Sequence, residues 1–376
     1  MRKLISCMLI LVLISSGCAP ARTETSSTAA PTQTYNAAEP ATRIVVDVWG
    51  REVEIPENVQ TIVTLGSGAP RLAAYLDVIH MLVGSEQYIE NGVNILRDYN
   101  PVHHAHLLTL PFVGTGGGAG QNNGFPEEII IIAPDVIIAG FDLEAADELQ
   151  AQTNIPVVSV RHGTGLAPDS FREAMRIFAD VVGVYERAET VLAFIDDALE
   201  DLNNRTYNVP DSEKLRAYSG AVTWNGRRGF SGTYANFGPF AAINAYNVSD
   251  YSGLDGFFEV DLESVLIWNP DIIFIDPGNI DLVNHEYSIN PAFFHSLRAV
   301  QEGRVYTMPA FNNAGTNITY ALINAYYAGI ILFPEQFADV DISEKAAEIL
   351  TFFLGENTFD IMADGGLFFG KLIIGE

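Results

Sequence analysis

Three histidines within four positions, His103-His104-Ala105-His106, form the densest set of potential metal ligands in the chain. Imidazoles this close could hold zinc, copper or a haem iron. No Asp or Glu pattern nearby completes a known ligand spacing. The plainer expectation is therefore a solvent-facing loop cluster, and no resident metal is assigned. A second set comprises Trp224, Arg227, Arg228 and, just downstream, Tyr234. Guanidinium groups bind carboxylate or catecholate oxygens bidentately, and an indole packs well on a macrocycle. In a chain with 20 basic and 47 acidic side chains, adjacent arginines suggest a local need for an anion. Ser67 in Gly66-Ser67-Gly68, Tyr88, Tyr99 and Asn312-Asn313 each follow an expected strand and could face a bound solute. Gly116-Gly117-Gly118-Ala119-Gly120 lacks the Gly-Lys-Ser/Thr ending of a phosphate loop. No Gly-x-Ser-x-Gly elbow or His-Glu-x-x-His motif occurs, so no catalytic residue is assigned.

These side chains need a folded body to position them. Of the 376 residues, 48% are hydrophobic and only 18% charged, enough to bury a large core. The net charge of −27 disfavours nucleic acid and electrostatic attachment to anionic lipid. The two cysteines are Cys7 and Cys18, so the rest of the chain has no disulfide, thiolate metal site or cysteine nucleophile. Arg2 and Lys3 precede an apolar run over 4–14, too short to span a bilayer but suited to a signal-peptide core over 1–17. Ser15-Ser16-Gly17-Cys18 resembles a bacterial lipobox, in which the cysteine is acylated. The Ala-, Pro-, Ser- and Thr-rich segment 18–42 then reads as a flexible tether.

Residues 44–55 read as a hairpin around Trp49-Gly50, and 61–84 as β-α-β, the unit of a parallel sheet. An internal repeat is more telling. PEEIIIIAPDVIIAG (126–140) and LESVLIWNPDIIFID (262–276) both run from a helix through Pro-Asp into an apolar strand, with Glu127 and Glu263 seven residues before the proline. A helix and a further strand follow each. Between the two copies, apolar residues from Phe171 to Leu202 recur at helical steps, with a capping box at Ser170 and Glu173 and a break at Gly183. The expected fold is α/β: two similar lobes (43–162 and 205–376), each with a central parallel-type sheet, joined by a long helical connector (163–204), with a ligand cleft between them. The last forty residues are expected to form an outer layer on the second lobe.

A lipobox, two α/β lobes with repeated Pro-Asp strands and a helical connector resemble the periplasmic-binding-protein family of iron–siderophore, haem and cobalamin importers. VVDVWGREVEIPENVQTIVTLG, FADVVGVYERAETVLAFIDD and FHSLRAVQEGRVYTMP are similar to its N-terminal strands, interlobe region and late helix and strand. The resemblance implies a binding protein with no intrinsic cofactor. It would be held outside the cell membrane by lipidated Cys18 and would deliver an iron or cobalt chelate to an ABC permease and its ATPase. Ser67, Tyr88, Tyr99, Trp224, Arg227, Arg228, Tyr234 and Asn312 are the expected ligand contacts. Members often dock through a glutamate near the start of the first helix in each lobe. Here those positions fall at Arg71 and near Pro239-Phe240, with no acid. Two other readings stay open: a free metal-ion receptor using His103, His104 and His106, and an extracytoplasmic enzyme on the same scaffold.

Overall fold

The computed structural model describes residues 41–66, 68–116, 123–163 and 165–376. The signal segment, Cys18, most of the expected tether, Ser67 and the glycine run beyond Gly116 lie outside the described residues. Among the described residues no helix is long and apolar enough to cross a membrane.

The body opens with an antiparallel hairpin, β1 (Thr42–Val46) and β2 (Glu52–Pro56). The first sheet follows: β3 (Ile62–Leu65), α1 (Ala69–Tyr75), β4 (Leu82–Glu86), α2 (Asn100–Leu107), β5 (Phe112–Gly114), α3 (Pro126–Ile132), β6 (Val136–Ala139), α4 (Leu143–Thr153) and β7 (Val157–Ser159). Its strands are all parallel, in the order β5-β4-β3-β6-β7. Every residue of β3 and β6 is buried, as expected for parallel strands covered on both faces.

The connector is two helices, α5 (Asp169–Val182) and α6 (Tyr185–Thr206). They break where expected, at Gly183, whose φ of 77° suits a left-handed C-cap. The capping box does not form. Pro168 holds the N-cap position, and its fixed φ starts the helix one residue before Ser170.

The second lobe carries β8 (Arg216–Gly220), β9 (Gly232–Ala235), α7 (Gly238–Ala242), β10 (Tyr246–Asn247), β11 (Gly256–Glu259), α8 (Leu262–Trp268), β12 (Ile272–Ile275), α9 (Ile280–Ile289), α10 (Pro291–Ser296), α11 (Arg298–Gln301) and β13 (Val305–Thr307). A parallel sheet runs β10-β8-β12-β13, beside a β9-β11 antiparallel ribbon. The chain ends with α12 (Ile318–Leu332), α13 (Ile342–Leu354) and α14 (Phe359–Asp364).

The Pro-Asp repeat has a structural cause. Asp135 accepts the backbone N–H groups of Gln60 and Thr61 at 2.8 and 2.9 Å, and Asp271 accepts that of Arg216 at 3.0 Å. Each carboxylate thus ties the entry of its lobe's first sheet strand to the neighbouring one. The helices before them, α3 and α8, both end on a left-handed residue, Ala133 and Asn269.

The C-terminal helices differ from expectation. The α13 helix packs on α12, α1 and the connector rather than covering the second lobe alone. Phe352 stacks on Phe194 of α6 at 4.0 Å, and Phe353 meets Tyr75 of α1 edge-on at 4.8 Å. The sequence shows the amphipathic face of this helix but not its partner, since both lobes offer apolar surfaces. One continuous core therefore runs from the first lobe through α6 and α12 to Phe240 and Phe274 of the second.

Candidate functional site

In paired parallel sheets, a solute meets the loops at the carboxyl ends of the strands. In the first lobe these are the loops after β3, β4, β5, β6 and β7. Glu86 ends β4, buried, with Oε1 accepting the Gly66 N–H at 2.7 Å. Burial raises its pKa to about 7, against the pull of that N–H and of the Arg97 guanidinium. Arg97 lies 3.7 Å over the ring of half-buried Tyr88, whose hydroxyl bonds that of buried Tyr99. Arg97 Nε also donates to Asn313 Oδ1 at 3.1 Å, a contact from first lobe to second. Tyr88 and Tyr99 are thus brought together around an arginine that sequence reasoning missed. Its signal was weak: one cation in RDYNP, a segment without periodicity.

On the second lobe, half-buried Trp224 follows β8 and stacks near-parallel to Phe257 at 6.1 Å. It meets Tyr234 edge-on at 5.7 Å. From Tyr234 the aromatic line continues through Phe237 to Phe311. Next to Phe311 stands Asn312, whose Oδ1 accepts the Thr316 hydroxyl at 2.9 Å. Beneath, a small cavity lined by Thr223, Asp276, Met308 and Asn312 opens at the ends of β8, β12 and β13. Asp276 is buried and its pKa is raised by that burial, although the Thr223 hydroxyl donates to it at 2.5 Å.

The adjacent arginines already have partners. Arg227 pairs with Asp281 and donates to the Gly278 carbonyl at 3.0 Å. Arg228 donates to the Trp224 carbonyl at 2.9 Å and pairs with Glu259 at 3.2 Å, with its guanidinium 5.3 Å from the Phe257 ring. Both stabilise the Trp224 loop, and either would have to exchange a partner to meet a solute.

The histidine cluster lies on α2 and not on a loop. Among the described residues His103 Nε2 is buried without a partner, a ring nitrogen of His104 bonds the Ile89 carbonyl at 3.0 Å, and His106 is exposed. Consecutive helical residues point about 100° apart, which separates His104 from the other two. Among the described residues no group of three or more His, Cys, Asp or Glu is placed to hold a metal ion.

The two positions at which the resemblance would place docking acids, and which carry none, are both buried. Arg71 is fully buried between the lobes. Its Nε donates to Asp98 Oδ1 at 2.8 Å and its Nη2 to Asn317 Oδ1 at 2.6 Å. It also bonds the Asn313 and Ala314 carbonyls at 2.9 and 2.8 Å. Asp98 further accepts the Tyr75 and Thr319 hydroxyls. Pro239 and Phe240 are likewise buried, in α7. The surface instead presents the repeat: Glu127 with Ile131 on α3, and Glu263 with Ile267 on α8. The two isoleucines are 83% and 81% exposed, unusual for that residue type.

The Glu86 carboxyl should give a readable pH signature. Its folded pKa is raised from 4.5 to about 7, so its stabilising effect is fully present below about pH 4.5 and is lost as pH rises through about 7. The expected loss is about 3 kcal/mol. Glu86→Gln should flatten that part of the urea-derived stability curve relative to the parent. Identical slopes in the two proteins would contradict the buried, proton-holding carboxyl.

The comparisons with known proteins agree with this geometry. The molybdate-binding protein MolA of Haemophilus influenzae is 25% identical, over 81% of this chain and 88% of its own. A periplasmic solute binding protein from Veillonella parvula superposes with a TM-score of 0.67 at 17% identity, covering 87% of this chain and 97% of its own. The periplasmic heme binding protein HutB of Vibrio cholerae superposes at 0.53 and 15% identity, covering 73% and 99%. The sequence profile of the periplasmic binding protein family matches residues 99–311, from Tyr99 through the connector and the second sheet. The chain belongs to the periplasmic binding protein family.

Proposed function

We propose that this chain captures an anionic, metal-containing solute in the cleft between its lobes and hands it to an ATP-driven importer. The observation that carries the reading is Arg97: a buried cation on an aromatic face, bonded across the seam to Asn313. A cation held in low dielectric favours an anionic ligand. A ferric siderophore or haem suits the flanking aromatic walls at Tyr88, Tyr99, Trp224 and Tyr234, and cobalamin, which is not anionic, serves as the contrasting probe. A second reading, a bare oxyanion such as molybdate, is favoured by the similarity to MolA. Neither reading calls for bond making, in keeping with a family of solute receptors. The test is equilibrium dialysis of the pure protein against sodium molybdate, a ferric catecholate, haemin and cobalamin. Saturable binding of one of the first three is expected. Uptake of free divalent metal alone would overturn the anion reading.

Delivery needs a face on each lobe. Glu127 with Ile131 and Glu263 with Ile267 supply two matching ones, suited to basic, partly apolar sites on a permease. Joint Glu127→Lys and Glu263→Lys changes should stop transport with solute affinity intact; unimpaired transport would remove this face from the account. Lipidated Cys18 would hold the receptor at the membrane. Cys18→Ser in the native host should then release it to the soluble extracytoplasmic fraction, and persistent membrane attachment would contradict the anchor.

A further inference from the structure

We infer that His162 is a solute contact of the first lobe, its Nε2 bonding an oxygen of the bound anion at the seam between the lobes. This rests on the receptor reading above. His162 lies three residues beyond the end of β7, at the carboxyl edge of the first sheet. The residue is 9% exposed, and among the described residues Nε2 makes no hydrogen bond of normal geometry. Protein interiors seldom leave a polar atom unpaired, and an exception calls for an explanation such as a function or an absent ligand.

Two glycines pack against this ring, one from each side of the seam. Gly68 lies against it from the first lobe: a Cβ there would sit 2.6 Å from Nε2. Gly315 approaches from the second lobe, where a Cβ would lie 3.9 Å from the His162 Cβ and 3.7 Å from the Gly68 Cα. Both glycines have positive φ, 83° and 88°, which other residues rarely adopt. Gly315 is the tip of a tight turn between Asn312 and Thr316. On this inference the turn tip at Gly315 shifts from the seam to admit the solute to Nε2.

The charge state fits the role. Burial first, and the Arg71 guanidinium second, lower the imidazole pKa to about 4, against the opposing backbone of Gly68. The ring is therefore neutral at neutral pH, able to donate one N–H without adding charge beside Arg71. An oxygen bound to metal, whether of a catecholate or of molybdate, is a matching acceptor.

The test compares the full chain with His162→Leu and His162→Gln by equilibrium dialysis against sodium molybdate, a ferric catecholate and haemin, with thermal unfolding of each variant. His162→Leu should weaken the bound probe at least tenfold without lowering the unfolding temperature, since an unpaired polar atom has been removed. His162→Gln, which retains a terminal N–H, should bind within threefold of the parent. Parent-like affinity in His162→Leu overturns the inference while leaving the receptor reading intact. Equal losses in both variants with a matching fall in unfolding temperature also overturn it, since that is the mark of packing. A parent protein that binds none of the probes overturns the receptor reading and this inference with it.

Discussion

Arg71→Leu is expected to destabilise the folded chain by about 3–5 kcal/mol, the range for breaking a buried ion pair from one side. The substitution strands Asp98, which is 0% exposed, without its cation. It also takes the donors from the Asn313 and Ala314 carbonyls and from Asn317 Oδ1. Burial alone would lower the Arg71 pKa, yet Asp98 and the phenols of Tyr75 and Tyr99 raise it on balance. The guanidinium is thus held charged by its surroundings. The network joins α1 and residues 95–98 to the 313–319 segment, so the loss should appear as weakened association of the two lobes. Urea unfolding measures it, and Arg71→Leu with Asp98→Leu should recover part of the loss because no uncompensated charge remains. An unchanged urea midpoint for Arg71→Leu would show that the lobes are held by other contacts.

The second large effect is on affinity. Arg97→Ala is expected to weaken solute binding by about 30-fold or more, which corresponds to the loss of roughly 2–5 kcal/mol when a buried charged partner is truncated. Arg97→Lys should recover only part, since an ammonium cannot lie flat on Tyr88 and bond Asn313 in the same fork. Arg227→Ala, by contrast, removes a guanidinium that is half exposed and paired with Asp281, and should leave affinity within about twofold. Dialysis against the solute that the parent binds distinguishes them. If Arg227→Ala weakens binding more than Arg97→Ala, the anion contact lies on the second lobe.

Much of the scaffold was legible because it rests on local chemistry. Parallel strands such as Ile272–Ile275 announce themselves as apolar runs, and Gly183 marks the connector break through its left-handed cap. The Pro-Asp repeat was readable for a reason not visible in one dimension: Asp135 and Asp271 each bond the start of a strand some 55 to 75 residues away. The site was less legible. Tyr88 and Tyr99 were named from their position after β4, whereas Arg97, which the fold sets against them, carries no pattern of its own. The depth of Arg71 was not legible for the same reason: only the return of the chain at 313–319 buries it. Arg227 and Arg228 drew attention as charges in an acidic chain, whereas their partners Asp281 and Glu259 lie 54 and 31 residues away in sequence.

Hydrogen–deuterium exchange with and without the bound solute tests the central claim most directly. A solute lodged between the lobes around Arg97 should slow exchange in 86–99 and 309–317 together, with 222–234 following as the Trp224 loop is covered. Slowing confined to α2, where His103, His104 and His106 lie, or to one lobe alone, would contradict it.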